Sequence, residues 1–350
     1  MAQFIVTTLD DENDSGATTA NPGGTGLSLR EAIALANAQA GADEIVFAPG
    51  LSGTITLSNG EFGVNSEISI NGDIDGDLAA DVVIDADDAS RHFQIDGPSG
   101  GDLTLAGLTM INGSSGLGGS ITNSGDLTVV NSTFEDNAST SIGGAVYVAT
   151  GGSAFLGNVA FIENSANSFG GAIDSEGSIT VVNGTFVGNS SGAAGGAINN
   201  NENAEIFFST FTNNTTGGEG GAVNNFEAGG LTLESSILHG NLVRGALNDL
   251  STTGDSVSVG NIIGYELHTG SVSPEVEINI RGDVFASASG VIGEAQENGG
   301  PVRTVAINAA GPAYTAASSF TLTDENDLDR DGDTDELIQF AANGAARYGF

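Results

Sequence analysis

The sequence predicts an all-β protein that folds as a single parallel β-helix, a solenoid of about 25 residues per coil with three strands in each coil. Two repeated motifs and one alternating segment support this prediction. Phe-x-x-Asn recurs at steps of 27, 25 and 25 residues, and a weaker Leu-x-x-Asn copy follows after 27. The copies are Phe134/Asn137, Phe161/Asn164, Phe186/Asn189, Phe211/Asn214 and Leu238/Asn241.

A second motif, Gly-Gly-Ala-aliphatic, keeps the same phase. Its copies start at Gly143, Gly170, Gly195 and Gly220, and a degenerate copy starts at Gly118. Alternating apolar and Thr positions, as in Leu127-Thr-Val-Val, precede the Phe motif and are typical of a half-buried strand. A unit of this length cannot bury its own apolar face, whereas stacked coils cover one another.

Stacking predicts a role for each repeated residue. Equivalent strands of neighbouring coils lie about 4.8 Å apart, so the Phe side chains should form an internal column of rings. The Asn side chains should form a ladder at one corner, where they bond the next coil and adopt the left-handed backbone of a sharp turn. The Gly-Gly pairs should lie where the chain turns too tightly for a Cβ atom.

The N-terminal region predicts a cap for the solenoid. Ser28 and Glu31 have the spacing of a capping box, and the following helix should end at Ala40-Gly41. Leu29 and Ile33 should face the first coil, and Phe4 opens a predicted strand that ends at Leu9. We therefore divide the chain into an N-terminal cap at 1–50, the β-helix at 51–316 and an acidic C-terminal segment at 317–350.

The segment from Ser28 to Ile33, Ser-Leu-Arg-Glu-Ala-Ile, resembles the signature that opens many bacterial secreted right-handed β-helix proteins, with Leu27 where that group usually has Cys. The two repeat motifs resemble those of polymorphic outer-membrane proteins, which are surface adhesins. Asn298-Gly-Gly-Pro301 is similar to the C-terminal part of the same broad group. The resemblance implies a right-handed helix at the surface or outside of a bacterium. It does not imply a reaction, because this fold carries lyases, hydrolases, epimerases and adhesins.

Composition restricts the partners. Acidic residues number 45 against 7 basic ones, a net charge of -38, which excludes nucleic acid as a partner. No apolar stretch approaches the roughly 18 residues that membrane insertion requires. The expected partners are polysaccharide, other surface proteins or further copies of the chain. Residues 1–20 contain no secretory signal pattern, and the acidic, Cys-free composition resembles that of type I secretion substrates; a mature form is the alternative.

A run of aspartates near the C-terminus predicts a Ca²⁺ site. Oxygen ligands stand at positions 1, 3 and 5 of a calcium-type loop, Gly332 at position 6, and the carbonyl of position 7 completes the turn. Position 12 is Ile338 instead of Glu, so a later acidic residue must substitute. The expected ligands are Asp327, Asp329, Asp331, Asp333 and Asp335. A second run, containing Asp73, Asp75, Asp77 and Asp81, is a weaker candidate because its Gly is out of place.

The catalytic candidates are Asp174, Glu176 and His92. Asp174 and Glu176 are predicted on one strand face, where they offer the paired carboxyls of glycoside hydrolysis, and Asp174 interrupts a column of Tyr147, Asn199 and Asn224. His92 is close in sequence to several aspartates, as a base beside a carboxylate would be. The competing interpretation for His92 is an ordinary exposed pair with Arg91.

Two functions remain open on the sequence. The first is an extracellular or cell-surface β-helix of structural or adhesion type, stabilised by calcium and able to self-assemble. The alternative is a carbohydrate-active enzyme, either a polysaccharide lyase or a glycoside hydrolase. Outward aromatic residues or paired carboxyls on adjacent coils would favour the enzyme, whereas the lack of a basic cluster disfavours cleavage of acidic polysaccharide.

Overall fold

The structure, a computed structural model, describes residues 1–97, 101–226, 229–253, 256–259 and 261–263, and beyond these the backbone of several short strands. The predicted calcium loop at 327–335, the motif at 298–301 and the boundary at residue 317 lie outside the described residues. The division into cap, helix and C-terminal segment therefore stays a prediction.

The chain begins with strand β1 (Gln3–Val6) and helix α1 (Leu29–Asn37), and eight complete coils follow. Coil 1 contains β2 (Asp43–Phe47), β3 (Gly53–Thr56) and β4 (Phe62–Val64); coil 2 contains β5 (Glu67–Asn71), β6 (Val82–Asp85) and β7 (Phe93–Ile95). Coil 3 contains β8 (Asp102–Ala106), β9 (Leu108–Ile111), β10 (Ser114–Leu117) and β11 (Ile121–Asn123); coil 4 contains β12 (Asp126–Glu135), β13 (Ala138–Ile142) and β14 (Val146–Val148).

The later coils repeat this order. Coil 5 contains β15 (Ser153–Ile162), β16 (Ser165–Ala166) and β17 (Ile173–Ser175); coil 6 contains β18 (Ser178–Val182), β19 (Thr185–Val187), β20 (Ser190–Ser191) and β21 (Ile198–Asn200). Coil 7 contains β22 (Asn203–Phe207), β23 (Thr210–Thr212), β24 (Thr215–Thr216) and β25 (Val223–Asn225); coil 8 contains β26 (Gly230–Glu234), β27 (Ile237–His239), β28 (Leu242–Val243), β29 (Ala246–Leu247) and β30 (Leu250–Thr252).

Four further strands, β31 (Ser256–Val259), β32 (Ile262–Ile263), β33 (Ile278–Arg281) and β34 (Val284–Phe285), continue the first sheet in parallel register. Short antiparallel pairings then join β35 (Ile292–Gln296) to β36 (Thr304–Ile307), and join β38 (Leu337–Phe340) to both β37 (Leu322–Thr323) and β39 (Ala346–Arg347).

Three sheets run along the stack, and the prediction of an all-β parallel β-helix is confirmed. The first sheet has two rows of strands, which β12 and β15 join because each spans both rows. The second sheet extends from β10 to β28, and the third extends from β4 to β30. The first sheet bends at left-handed residues between its two rows; β12 and β15 run through this bend, whereas coils 3, 6, 7 and 8 have a separate strand on each side of it. In coils 4 to 8 these residues are Asn131, Asn158, Asn183, Phe208 and Ser235.

The predicted column of Phe rings is confirmed. Phe134, Phe161, Phe186 and Phe211 are fully buried, and successive ring centroids lie 4.8, 4.9 and 4.5 Å apart. The rings are within 7° of parallel, because the register of the sheet brings each Phe opposite the next. Met110 and Leu238 continue the column at its two ends.

The predicted Asn ladder is confirmed, but the left-handed backbone conformation belongs to other residues than predicted. Each Asn donates from Nδ2 to Oδ1 of the next Asn over 2.8–3.0 Å, from Asn137 to Asn241, and every member is fully buried. Each Oδ1 also accepts the backbone N–H of the Asn one coil earlier, as Asn189 does from Asn164. The left-handed residues are those directly before the ladder residues, namely Asp136, Glu163, Gly188, Asn213 and Gly240.

The two glycines of each Gly-Gly pair serve different needs. The first has a positive φ of 64–65°, as at Gly170 and Gly195, which L side chains rarely adopt. The second leaves no room for a side chain: a Cβ on Gly171 would lie 2.0 Å from the carbonyl oxygen of Gly196. The prediction that these pairs occupy tight turns is therefore confirmed.

The capping helix also forms as predicted. Ser28 Oγ accepts the Glu31 N–H, and Glu31 Oε2 accepts the Ser28 N–H over 3.0 Å. Leu29 and Ile33 are buried, and the helix contacts β1, β2, β4 and β5. The helix ends at Asn37, before the predicted Ala40, and β1 ends at Val6, before the predicted Leu9.

Arg30 fastens this cap to coil 1. Its guanidinium pairs with Asp11 at 2.7 Å, donates to the Gly60 carbonyl and lies 4.6 Å from the centre of the Phe62 ring. Burial alone would raise the pKa of Asp11, but hydrogen bonds from Arg30 and from the Ser58 and Asn59 backbones, with the Arg30 charge, lower it.

Candidate functional site

An open groove crosses the outer side of the third sheet from coil 4 to coil 7. It encloses about 560 Å³, within the range of small-molecule sites. Its lining combines two exposed aromatic rings with carboxyl, amide and hydroxyl groups, and none of the described residues that line it is Lys or Arg. The lining residues are Ile142, Thr150, Phe169, Asp174, Glu176, Asn199, Asn201, Glu202 and Phe226.

Asp174 is the buried acid of this groove. It lies in the middle of β17, paired with Tyr147 in coil 4 and with Asn199 in coil 6, as the sequence spacing predicts. Asn199 donates to Asp174 Oδ1 over 2.8 Å, and Asn224 donates to Asn199 Oδ1 over 2.7 Å. Burial raises the pKa of Asp174 to about 7; the Asn199 hydrogen bond opposes this shift, and the Glu176 charge adds to it.

Glu176 is the second carboxyl of the groove and directly follows β17. Its Oε2 accepts hydrogen bonds from the Tyr147 hydroxyl at 2.9 Å and from Thr150 Oγ1 at 3.4 Å. Burial, together with the hydrogen bond and charge of Glu176, raises the pKa of Tyr147, so the phenol stays protonated and donates. The structure thus brings the two predicted carboxyls into one site.

Two phenylalanines that the sequence analysis missed lie exposed at this groove. Phe169 is 40% exposed and Phe226 is 51% exposed, whereas the repeated Phe residues are fully buried. Phe169 pairs with Ala194 in the next coil, and Phe226 directly follows β25, at the position that Asn201 has after β21. Neither residue belongs to a copy of the Phe-x-x-Asn motif, so neither was expected in the internal column. This was the signal in the sequence that could have identified them.

His92 lies in coil 2, inside the solenoid and away from the groove. Its Nε2 donates to the carbonyls of Ile84 and Ile111 at 2.9 and 3.1 Å, and Nδ1 accepts from Ser120 Oγ at 2.9 Å. Burial lowers the pKa of His92 to about 4, although the carbonyl bonds and the Asp85 charge oppose the shift. A fully buried, neutral ring with both nitrogens bonded is a packing residue and has no access to a substrate.

A loop between β5 and β6 could hold a metal ion. Carboxylate oxygens of Asp73, Asp75 and Asp81 lie within 4.8 Å of one another. Asp81 Oδ2 also accepts the Ile74 N–H at 2.8 Å, and Asp73 Oδ1 accepts the Gly76 N–H at 2.9 Å. This is the weaker of the two predicted calcium loops.

Comparisons with known proteins agree with the repeat analysis. The Chlamydia polymorphic membrane protein repeat matches residues 131–149 and 158–176, which include two copies of both motifs. The crystal structure of a pectate lyase aligns over 82% of this chain and 77% of that one, at 14% identity and a TM-score of 0.41. No curated protein sequence matches the chain. The repeat match suggests a location at the outer surface of a bacterium.

Within the part of the chain that the structure describes, no helix has the length and hydropathy needed to cross a lipid bilayer.

Proposed function

We propose that this protein is an extracellular or cell-surface β-helix of adhesion type, and that the groove on its third sheet is the surface through which it attaches. The observation that carries the proposal is the exposure of Phe169 and Phe226 beside a buried hydrogen-bonding column. Exposed apolar groups rimmed by polar ones mark binding surfaces. The internal Phe and Asn columns already stabilise the coils, so folding does not require these two rings in the groove.

Adhesion is tested with beads coated with the purified protein, counted after washing on cells of the bacterium that produces it. We expect the wild type to adhere and the Phe169→Ala, Phe226→Ala double variant to lose most of this adherence. Ile5→Ala is the matched control, because Ile5 is 46% exposed on β1, far from the groove. Equal adherence of all three proteins would contradict the proposal.

Calcium stabilisation is part of the same proposal. The expected ligands are still Asp327, Asp329, Asp331, Asp333 and Asp335, because five carboxylates within nine residues repel one another unless a cation intervenes. Calorimetric titration of metal-stripped protein should show uptake that Asp329→Ala and Asp331→Ala weaken. Asp75→Asn reports uptake at the loop between β5 and β6 separately. No uptake at millimolar calcium would end this part of the proposal.

A glycoside hydrolase acting in the same groove is the second candidate. The observation in its favour is a carboxyl with a pKa of about 7, Asp174, beside a second carboxyl, Glu176, which is the pairing that acid and base roles require. Incubation with neutral polysaccharides should then release reducing ends, and Asp174→Asn should abolish the release. Polysaccharide lyase activity is a weaker candidate, because the residues described around the groove include no basic side chain to bind a uronate.

A further inference from the structure

We infer that the groove binds a neutral polysaccharide, whose chain crosses the coils between Phe169 and Phe226 and is held by the Asp174–Asn199 column between them. This inference rests on the proposed adhesion function and specifies the class of molecule to which the surface attaches.

Charge restricts the class of ligand first. Asp174, Glu176 and Glu202 contribute carboxyls to the groove, its lining within the described part of the chain has no Lys or Arg, and the whole chain has a net charge of -38. An acidic polysaccharide, a phosphate or a nucleic acid would meet repulsion at every approach to this surface. The ligand is therefore neutral or cationic.

The polar groups of the groove suit a ligand rich in hydroxyls. Asn199 holds Asp174 at 2.8 Å, and Tyr147 and Thr150 hold Glu176, so both carboxyls are oriented before a ligand arrives. A carboxyl group has lone pairs on both oxygens, and an amide offers both donors and acceptors. Sugar hydroxyls act as donors and acceptors at once, so they can bond a mixed row of this kind.

The aromatic rings distinguish a neutral ligand from a cationic one. Phe169 in coil 5 and Phe226 in coil 7 lie two coils apart, about 10 Å along the axis. The rings also lie on opposite sides of the third-sheet strands, since Phe169 precedes β17 and Phe226 follows β25, so they provide apolar faces for the C–H surfaces of two separate sugar units of one chain. The central acid, Asp174, is buried with its pKa raised to about 7, so it is partly protonated at neutral pH and attracts a cation less than an exposed carboxylate would.

The register of the coils explains how the groove arises. Glu176, Asn201 and Phe226 each directly follow a strand of the third sheet, in coils 5, 6 and 7. Equivalent positions of successive coils therefore present an acid, an amide and an aromatic ring in a row along the axis. A linear polymer matches such a row better than a compact ligand does.

The test is affinity electrophoresis of the purified full chain in gels that contain a soluble polysaccharide. The neutral probes are mixed-linkage β-glucan, xyloglucan, galactomannan and dextran. Polygalacturonate is the acidic probe, and polylysine, added in solution, is the cationic one. We expect retardation by at least one neutral polysaccharide, and about tenfold weaker binding of both Phe226→Ala and Phe169→Ala. Ile5→Ala should bind like the wild type, and all variants should melt like the wild type.

Three results would overturn the inference: no retardation by any neutral probe, binding only to polygalacturonate or polylysine, or unchanged affinity of both Phe variants. The bead assay separates this failure from failure of the adhesion proposal. Beads that adhere through the groove while no neutral probe binds would refute the ligand class alone. Beads that do not adhere would refute the adhesion function.

Discussion

Two ladders of amide side chains run along the same coils, and they differ in what surrounds them. The inner ladder passes from Asn137 to Asn241, donating towards the C-terminus, and ends on the Asp249 carboxyl at 2.6 Å. The outer ladder passes from Asn224 through Asn199, donating towards the N-terminus, and ends on Asp174. A carboxylate is a suitable end for either ladder, because it accepts hydrogen bonds without having to donate one.

The inner ladder is uniform, whereas the outer column is not. Each inner Asn also donates to the backbone carbonyl of the Phe or Met one coil earlier in the internal column, as Asn189 does to Phe161, so the position requires both a donor and an acceptor. The outer column reads Tyr147, Asp174, Asn199, Asn224 and Ser251; all five are nearly buried, and Asp174 and Asn199 line the groove. Uniform columns therefore stabilise the coil, and the variable column is the one available for binding.

The largest expected effect separates the buried Phe column from the exposed rings. Phe186→Ala should lower the free energy of unfolding by about 3–5 kcal/mol, because it removes a fully buried ring from the stack. Phe169→Ala, the exposed counterpart, should change it by less than about 0.5 kcal/mol. Urea unfolding measures both values. Similar losses in the two variants would contradict the distinction between the buried Phe column and the exposed rings.

The next effect compares the two ladders directly. Asn189→Ala should cost about 2–4 kcal/mol, because it leaves Asn164 donors and the Phe161 carbonyl buried without partners. Asn224→Ala in the outer ladder should cost about 1 kcal/mol, since it removes the bond to Asn199. Unfolding midpoints of the two variants test this ranking, and a reversed order would refute it.

The third prediction concerns the acid that ends the outer ladder. The pKa of Asp174 is about 7 in the folded protein, against 3.8 for an ordinary exposed aspartate. Between these pH values the folded state binds more protons than the unfolded one, so this group's contribution to stability is present below pH 4 and is lost as the pH rises through 7.

Asp174→Asn removes that loss. The variant should equal the wild type near pH 4 and exceed its free energy of unfolding by about 1–3 kcal/mol at pH 8. The measurement is the difference in urea unfolding free energy between the two proteins across this range. A constant difference from pH 4 to pH 8 would show that Asp174 does not titrate as its burial implies.

The smallest effect sharpens the role of the groove. Tyr147→Phe removes the hydrogen bond to Glu176 and should cost only about 0.5–1.5 kcal/mol of stability. It should nevertheless weaken polysaccharide binding, because Glu176 is then held only by the longer contact from Thr150. Affinity electrophoresis beside a melting curve measures both quantities, and unchanged affinity would show that Glu176 needs no support from Tyr147.

The spacing of residues in the sequence predicts only part of the candidate site, because it does not show burial or side-chain contacts. The sequence placed Asp174 in a column with Tyr147 and Asn199, which was correct because register follows directly from the repeat length. It could not show that Asp174 is only 1% exposed and bonded to Asn199. The acidic neighbours of His92 suggested a base beside a carboxylate, with an ordinary exposed pair as the alternative, whereas the ring is fully buried and bonded to two carbonyls.

The sequence by itself determined the solenoid, the Phe column, the Asn ladder and the capping box. Each depends on a repeat length or a local spacing that can be read directly from the order of the residues. Only the tertiary structure decided which corner residue is left-handed, since Asp136, Glu163 and Gly188 share a backbone position but no side-chain property. Only the tertiary structure also brought Phe169 and Phe226 to one groove. They belong to different positions of different coils, and only the stacking of those coils makes them neighbours.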